Sequence, residues 1–454
     1  MITQIINELK QLDIKLTLDG DELCIDAPKG ILTEDRLRQL KKYKTEIVNY
    51  LSDTNTITID YLKSEAVLDR DITPQNLTSP NISTAKHILL TGATGFIGAF
   101  LLANSLQQTT ANIYCLIRSK NVDLANIKLR KCLDDYYLTE NIDFSRIIVL
   151  TGDLSKEKFD LPLDIYQELT KKIDIIYHNG ALVHHASPYK SLKSTNVLGT
   201  QEILRLACTE KIKSVHFIST ISVFNLERNS KVNLIKEEDN LEKYQAPLGG
   251  YSQSKWVAEK LVAIASERGL PVKIYRLGPV SGSSKTGVFN SSDFLYRLIL
   301  GYVHLGTAPE GEMLLDILPV DYVGSAIAHL SQSESSWGKA FHLIHQEPQS
   351  SNLLFERLNA FGYKIKRVPY RDWYGQLIDI AQRSQNHILY PLVSLFSANN
   401  SKEAQSKSFN LKFDCQNTVD GLAKSGLTCP VIDAKLLDTY ISFLIEHNLV
   451  PTSK

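Results

Sequence analysis

A doubly wound parallel α/β sheet with a smaller C-terminal domain, preceded by a small α+β unit, is the architecture this sequence predicts. Three observations carry it. From His87 onward, strand-length apolar runs alternate with helical patterns: Ile113 to Ile117, Ile147 to Leu150, Ile173 to Tyr177, Val215 to Ile218 and Val272 to Tyr275. The run His87-Ile88-Leu89-Leu90 leads through Thr91-Gly92-Ala93-Thr94-Gly95-Phe96-Ile97-Gly98 into Phe100-Leu101-Leu102, the pattern of a strand, a tight turn and a helix start. Downstream, Tyr251 and Lys255 stand four residues apart, so one helix face presents a phenol and an ammonium side by side.

The 454 residues, 43% of them hydrophobic, suffice for a large core and more than one domain. Lys+Arg 50 balances Asp+Glu 50, which argues against a general attraction to nucleic acid or to an anionic membrane. The six cysteines, Cys24, Cys115, Cys132, Cys208, Cys415 and Cys429, have no Cys-x-x-Cys pair and no metal-ligand spacing, so reduced, structural thiols and no metal are expected. No segment reads as a signal peptide or a membrane span, and a cytoplasmic location follows as the default expectation.

Residues 1–52 read as a unit of their own. Ile2, Ile5, Ile6 and Leu9 recur at helical spacing; Ile14, Leu16 and Leu18 alternate as in a strand; Asp19-Gly20 supplies a hairpin turn; Leu23 and Ile25 lie on one face of the returning strand. Thr33 is placed to cap a second helix, whose stripe is Leu37, Leu40, Ile47 and Leu51. A hairpin between helices exposes a strand edge that can receive an extended peptide, and Arg36, Arg38, Lys41 and Lys42 could attract an acidic one, although a solvated basic face is the simpler account of these charges. Residues 53–85 are turn-rich around one short helical piece and read as a linker and N-terminal arm. Residues 86–275 carry the alternating pattern of a Rossmann-type domain, and 276–454 are expected to be mainly a substrate-binding and lid region.

The glycine turn is suited to a diphosphate: Gly92 permits the turn, Gly95 admits backbone N–H groups to the phosphates, and Gly98 lets helix and strand pack closely at a helix N-terminus that favours negative charge. Arg118, just after the second strand, suits a 2'-phosphate better than a ribose hydroxyl, so NADPH is expected over NADH, with Lys128 as a second phosphate contact. Asp153 is placed to accept from the adenine amino group, and Asn179-Gly180-Ala181 leaves room for the cofactor against the sheet. Thr220, ending the fifth strand, is the candidate to hydrogen-bond a substrate carbonyl, with Ser219 competing and Ser222 weaker. Tyr251 is the expected proton donor, its pKa lowered by Lys255, which also holds the ribose. Two look-alikes are set aside. Leu248-Gly249-Gly250-Tyr251-Ser252 mimics a phosphopantetheine attachment motif but continues with Gln253, and His184-His185 lacks the acid and glycine of a condensation motif.

Two resemblances sharpen this reading. Leu16-Thr17-Leu18-Asp19-Gly20-Asp21-Glu22-Leu23 followed by Ala27-Pro28-Lys29-Gly30-Ile31-Leu32-Thr33 resembles TubC-type docking domains, which recognise the C-terminal motif of an upstream subunit in nonribosomal peptide and polyketide synthetases. From the glycine turn to the end, the chain resembles the terminal thioester reductases of those synthetases, which belong to the extended short-chain dehydrogenase/reductase class. The matching stretches include Gly152-Asp153-Leu154, Tyr177-His178-Asn179-Gly180-Ala181-Leu182-Val183, Asn196-Val197-Leu198-Gly199-Thr200, Tyr251-Ser252-Gln253-Ser254-Lys255, Pro319-Val320-Asp321-Tyr322-Val323 and Ser425-Gly426-Leu427-Thr428-Cys429-Pro430.

The resemblance implies Thr220, Tyr251 and Lys255 as catalytic residues. It implies an NADPH site of Thr94, Gly95, Phe96, Ile97, Arg118, Lys128, Asp153, Leu154, Gly180, Ala181 and Leu182. The implied substrate is a phosphopantetheine-bound acyl or peptidyl thioester on a carrier protein, released as an aldehyde or further reduced to an alcohol. Lys128 stands where the family tends to have arginine, keeping the charge without the planar fork. Rival readings are an acyl-CoA or acyl-carrier reductase of lipid metabolism, a sugar-nucleotide epimerase or dehydratase of the same fold, and a non-catalytic docking or NADPH-sensing protein.

Overall fold

The structure, a computed structural model, describes residues 9, 14–19, 22–27, 32–44, 47, 57–74, 84–140, 142–184, 187–226, 234–290, 293–382, 389, 392, 396 and 412–451. The expected first helix, apart from Leu9, the hairpin turn residue Gly20 and His185 lie outside them.

In the N-terminal unit, β1 (Lys15–Asp19) pairs antiparallel with β2 (Glu22–Asp26), and the register closes at Asp19 opposite Glu22. Leu9, Ile14, Leu40 and Ile47 form its buried core, with Leu16 and Leu23 packed against it. Ile25, expected to share the inward face with Leu23, is 37% exposed. Thr33 caps α1 (Glu34–Lys42): its hydroxyl accepts from the Arg36 N–H at 3.4 Å. The arm contains α2 (Ile59–Glu65), capped by Thr58, and is fastened to the main body by Arg268, which donates to the carbonyls of Leu68, Asp69 and Ile72.

The main body is built on seven parallel strands: β3 (His87–Thr91), β4 (Asn112–Ile117), β5 (Ile147–Thr151), β6 (Ile175–His178), β7 (Ser214–Thr220), β8 (Val272–Leu277) and β9 (Ala340–Leu343). Their spatial order is β9-β8-β7-β6-β3-β4-β5, and every pairing is parallel. The order reverses between β3 and β6, the switch point beside which open α/β sheets bind ligands. The helices used below are α3 (Phe96–Gln108), α4 (Val122–Asp135), α5 (Gly199–Ala207), α6 (Gly250–Glu267) and α7 (Val320–Ser331). Strands buried on both faces read as apolar runs, as β4 and β6 do; β7 and β8 carry His216 and Lys273 within theirs, and the edge strand β5 is apolar although mostly half-buried.

The expected domain border at 275/276 falls inside a strand, because β8 continues to Leu277. The seventh strand and α7, which packs on α3, come from the part assigned mainly to substrate binding. β9 escapes an apolar-run search because it is four residues long and carries His342, whose Nε2 accepts from buried Arg276 on β8 at 3.0 Å. A second core, including Leu298, Tyr302, Leu354, Trp373, Leu437 and Tyr440, organises the C-terminal part.

Candidate active site

The glycine turn stands at the carboxyl end of β3. Gly92 has φ +73°, a left-handed conformation, and a Cβ there would lie 2.8 Å from the Gly180 Cα. A Cβ on Gly98 would lie 2.0 Å from the Gly92 carbonyl oxygen, so the helix seats directly on the turn. Gly95, the residue before α3, offers no side-chain cap, and among the described residues a Cβ on it would meet only the Gly92 oxygen, at 3.3 Å. An uncapped N-terminus on a thirteen-residue helix, beside a glycine whose outer face is open, fits the diphosphate of a dinucleotide.

Gly180 follows β6 across the switch point, and its N–H donates to the Thr91 hydroxyl at 2.8 Å. Thr94 and Ile97 are half-buried, Phe96 is buried, and Ala181 and Leu182 become progressively exposed. Arg118 and Lys128 are both exposed, at the end of β4 and on α4. Arg118 acts electrostatically on Asp153, and Lys128 on Cys132, whose thiol donates to the Thr94 carbonyl at 3.4 Å. The sequence-derived cofactor residues that follow β3, β4, β5 and β6 stand at the carboxyl edge of the sheet, whereas Lys128 lies half-way along α4.

Asp153 is already engaged. One of its oxygens accepts from the backbone N–H and the hydroxyl of Ser155, both at 2.8 Å. Desolvation works to raise its pKa, but these hydrogen bonds and the Arg118 charge outweigh it and hold the carboxyl below its usual value.

At the end of β7 the three hydroxyl candidates separate. Ser219 is 3% exposed and donates to the carboxylate of buried Glu259, which also receives Arg276; its oxygen points into the protein. Thr220 donates to the Ser222 Oγ at 3.1 Å, and Ser252 donates to the same oxygen at 3.0 Å. Three hydroxyls joined by two bonds keep one hydrogen for a further acceptor. Ser252, the look-alike phosphopantetheine serine, belongs to the first turn of α6 and is nearly buried.

Tyr251 and Lys255 share α6 as the spacing required. Lys255 is 4% exposed, and its Nζ donates to the Ile218 carbonyl at 2.6 Å and lies 3.9 Å from the centre of the Phe217 ring. Burial brings its amine down to about 7, partly opposed by Glu259, and burial pushes the Tyr251 phenol up to about 12. The expected lowering of the phenol pKa by the ammonium is therefore not what this arrangement produces: desolvation governs both groups, and it penalises the charged form of each.

His184 bonds Ser187, and no cluster of three or more metal-ligating side chains occurs among the described residues. Among the same residues, no helix is long and apolar enough to cross a membrane.

Comparison with known proteins fits this geometry. Residues 90–327 match the NAD-binding family described as male sterility protein. The crystal structure of the terminal R domain of the myxalamid PKS-NRPS pathway is 39% identical, superposes with a TM-score of 0.79, and covers 87% of this chain and 99% of its own. The chain belongs to the terminal reductase-domain family. Residues 2–53 of this reductase match the TubC N-terminal docking domain. It is 36% identical to a linear gramicidin synthase polypeptide of Brevibacillus parabrevis over 92% of its length, but spans 8% of that protein. It is 30% identical to the L-2-aminoadipate reductase large subunit of Eremothecium gossypii over 92% of its length, spanning 31% of that protein. The reductase carries a nicotinamide-dinucleotide-binding domain, as its family match states.

What sequence reasoning missed is the buried polar scaffold beneath the site. His178, Asn196, Thr200 and Glu259 hold the reactive loops; the first three lie in stretches that resemble the reductase family but carried no assigned role, and Glu259 lies outside those stretches. The short π-helical segment Ser194–Leu198 that carries Asn196 has a geometry often found near functional sites, but sequence does not announce it.

Proposed function

We propose that this protein reductively releases an acyl or peptidyl thioester from a carrier protein, using NADPH and giving an aldehyde. The observation that carries this reading is the convergence at one sheet edge of an open diphosphate turn, the Thr220–Ser222–Ser252 hydroxyl cluster and the Tyr251/Lys255 helix. Gly95, Phe96, Ile97 and Gly98 would hold the diphosphate through backbone N–H groups, Arg118 and Lys128 the 2'-phosphate, and Asp153, Leu154, Gly180, Ala181 and Leu182 the adenosine and nicotinamide walls. When bound, the reduced nicotinamide supplies a hydride to the thioester carbonyl carbon.

The chain's own residues manage the oxygen and the protons. With substrate bound, the Thr220 hydroxyl turns its hydrogen from the Ser222 Oγ to the carbonyl oxygen as negative charge builds there, the Ser222 hydroxyl can donate back to Thr220, and Tyr251, protonated at neutral pH, delivers the proton. Lys255 binds next to the phenol; an anionic cofactor favours its ammonium form, and that charge then offsets the cost of a transient phenolate. Collapse of the resulting hemithioacetal breaks the carbon–sulfur bond, expels the pantetheine thiol and leaves the aldehyde. A second hydride transfer at the same site gives the alcohol.

Residues 1–52 would bring the enzyme to its substrate by binding the C-terminal motif of an upstream synthetase subunit along the β1–β2 hairpin edge. The test is oxidation of NADPH with a pantetheine-linked thioester, with free acyl-CoA and UDP-sugars as parallel substrates. Turnover of the carrier-type thioester with stoichiometric aldehyde supports the reading, and turnover of UDP-sugars alone overturns it.

A further inference from the structure

The mechanism leaves one buried titratable group at the switch point unused. His178 ends β6, is 2% exposed, and bonds through both ring nitrogens: Nδ1 to the Thr91 hydroxyl at 3.0 Å and Nε2 to the Thr200 hydroxyl at 2.9 Å. The neighbouring bonds fix where its proton sits. The Thr200 hydroxyl spends its hydrogen on the Asn196 carbonyl, 2.7 Å away, so towards His178 it can only accept, and Nε2 carries the hydrogen. Nδ1 is then a lone pair, and the Thr91 hydroxyl donates to it while accepting the Gly180 N–H.

Asn196 continues the chain on the other side. Its Oδ1 accepts from the Leu182 N–H at 2.7 Å, and its Nδ2 donates to the Leu182 carbonyl at 3.1 Å and to the Ser254 hydroxyl at 2.9 Å. Ser254 in turn donates to the Tyr251 carbonyl at 2.7 Å. Thr91, His178, Asn196, Thr200 and Ser254 are all buried, so no member can exchange a lost partner for bulk water.

We propose that His178, as the neutral Nε2–H tautomer, is a positioning residue that ties the dinucleotide turn to the helix bearing Tyr251 and Lys255. Both loops expected to touch the cofactor hang from this chain, one beginning at Thr91 and the other held at Gly180 and Leu182. Its far end fixes the first turn of the catalytic helix. An imidazolium would have no lone pair for Thr91, and burial with the nearby Lys255 amine keeps the ring neutral, with its pKa down to about 3. The proposal rests on the reductase reading only in that the ligand probed is the nicotinamide cofactor.

The test compares the full-length wild-type chain with His178→Asn, His178→Leu and Thr200→Val by calorimetric titration with NADPH, with thermal melting alongside. Thr200→Val keeps the imidazole and removes the hydroxyl that accepts its Nε2–H, together with that hydroxyl's bond to the Asn196 carbonyl, so it serves should His178→Leu fail to fold. Folded His178→Asn and Thr200→Val are expected to weaken NADPH binding by about tenfold or more, the size of effect that one unsatisfied buried partner produces. Nitrogen-edited NMR of the wild-type chain should show the Nε2–H tautomer unchanged from about pH 5 to 8, the range in which an unperturbed histidine titrates. Wild-type affinity in folded variants, or an Nδ1–H or titrating ring, would overturn the assignment while leaving the reductase reading intact. Failure of the wild-type chain to bind any nicotinamide dinucleotide would sink both.

Discussion

Alanine substitutions at Gly98 and Gly95 should separate the structural role of the glycine turn from its binding role. A Cβ at Gly98 would lie 2.0 Å from the Gly92 carbonyl oxygen and 2.8 Å from both the Gly92 carbonyl carbon and the Asn179 amide nitrogen. Ordinary contact begins near 3.4 Å, so the turn and helix must separate by about 1.4 Å, and the obstacle is backbone that cannot rotate away. Overpacking of this kind costs about 1–3 kcal/mol, and a displacement of about 1 Å at a reacting site costs roughly a hundredfold in rate. Gly98→Ala is therefore expected to lower the Tm and to lose NADPH binding together.

At Gly95 the only neighbour among the described residues is at 3.3 Å, and the backbone, with φ −90°, accepts alanine without strain. The added methyl instead occupies the face left for the diphosphate. Gly95→Ala should keep the wild-type Tm and raise the Kd for NADPH by about tenfold or more, since the phosphate contacts are charge-assisted. The assays are thermal melting and calorimetric titration on the same samples. Wild-type affinity in Gly95→Ala, or wild-type melting in Gly98→Ala, would refute the account of the turn.

Four further outcomes are expected. Tyr251→Phe should reduce kcat by about 10²–10⁴ with NADPH affinity preserved, as measured by steady-state rates and titration; an unchanged kcat would remove the phenol from the mechanism. Because the Lys255 amine is at about 7 in the free protein, NADPH binding should take up a proton and weaken as pH rises above 7, by at most about tenfold per pH unit; titration in buffers of different ionisation enthalpy reads this directly. Arg118→Ala should raise the KM for NADPH and leave that for NADH nearly unchanged, with a shift in preference of about ten- to a hundredfold, the value of a charge-assisted hydrogen bond. Deleting residues 1–52 should raise the apparent KM for a substrate borne by the partner synthetase and spare the reduction of small thioesters; equal loss on both would make that unit structural.

Much of the fold was legible because β4, β6, β7 and β8 are almost wholly buried and each contains a mainly apolar stretch, while the edge strand β5, of which only Val149 is buried, is still apolar from Ile147 to Leu150. The glycine turn was legible for a steric reason that local sequence can express: only glycine fits at 92 and 98. β9 was hidden because His342 breaks its run, and what makes that histidine tolerable lies on other segments, in Arg276 and in the Asp414 carbonyl that its Nδ1 contacts. Lys213 and Lys273 look like surface residues in the sequence. Both are 0% exposed, because carbonyls at Thr209 and Lys211, and at Leu330, Ser331 and Ser333, receive their ammonium groups.

At the site, the positions of Tyr251, Lys255 and Thr220 could be read from spacing and strand ends, but the state of their protons could not. A phenol near about 12 and an amine near about 7 arise from burial by elements distant in the chain, and a four-residue spacing carries no information on that. The choice between Ser219 and Thr220 likewise needed the side chain of Glu259, forty residues away in sequence.

The central claim, reductive release of a carrier-bound thioester, is tested most directly by incubating the full chain with NADPH and a pantetheine-linked acyl thioester and identifying the product. The account requires the free aldehyde or its alcohol and one free thiol per acyl group released, with Tyr251→Phe inactive under the same conditions. Thiol release as the carboxylic acid without NADPH consumption, or no release at all while UDP-sugars are turned over, would contradict it.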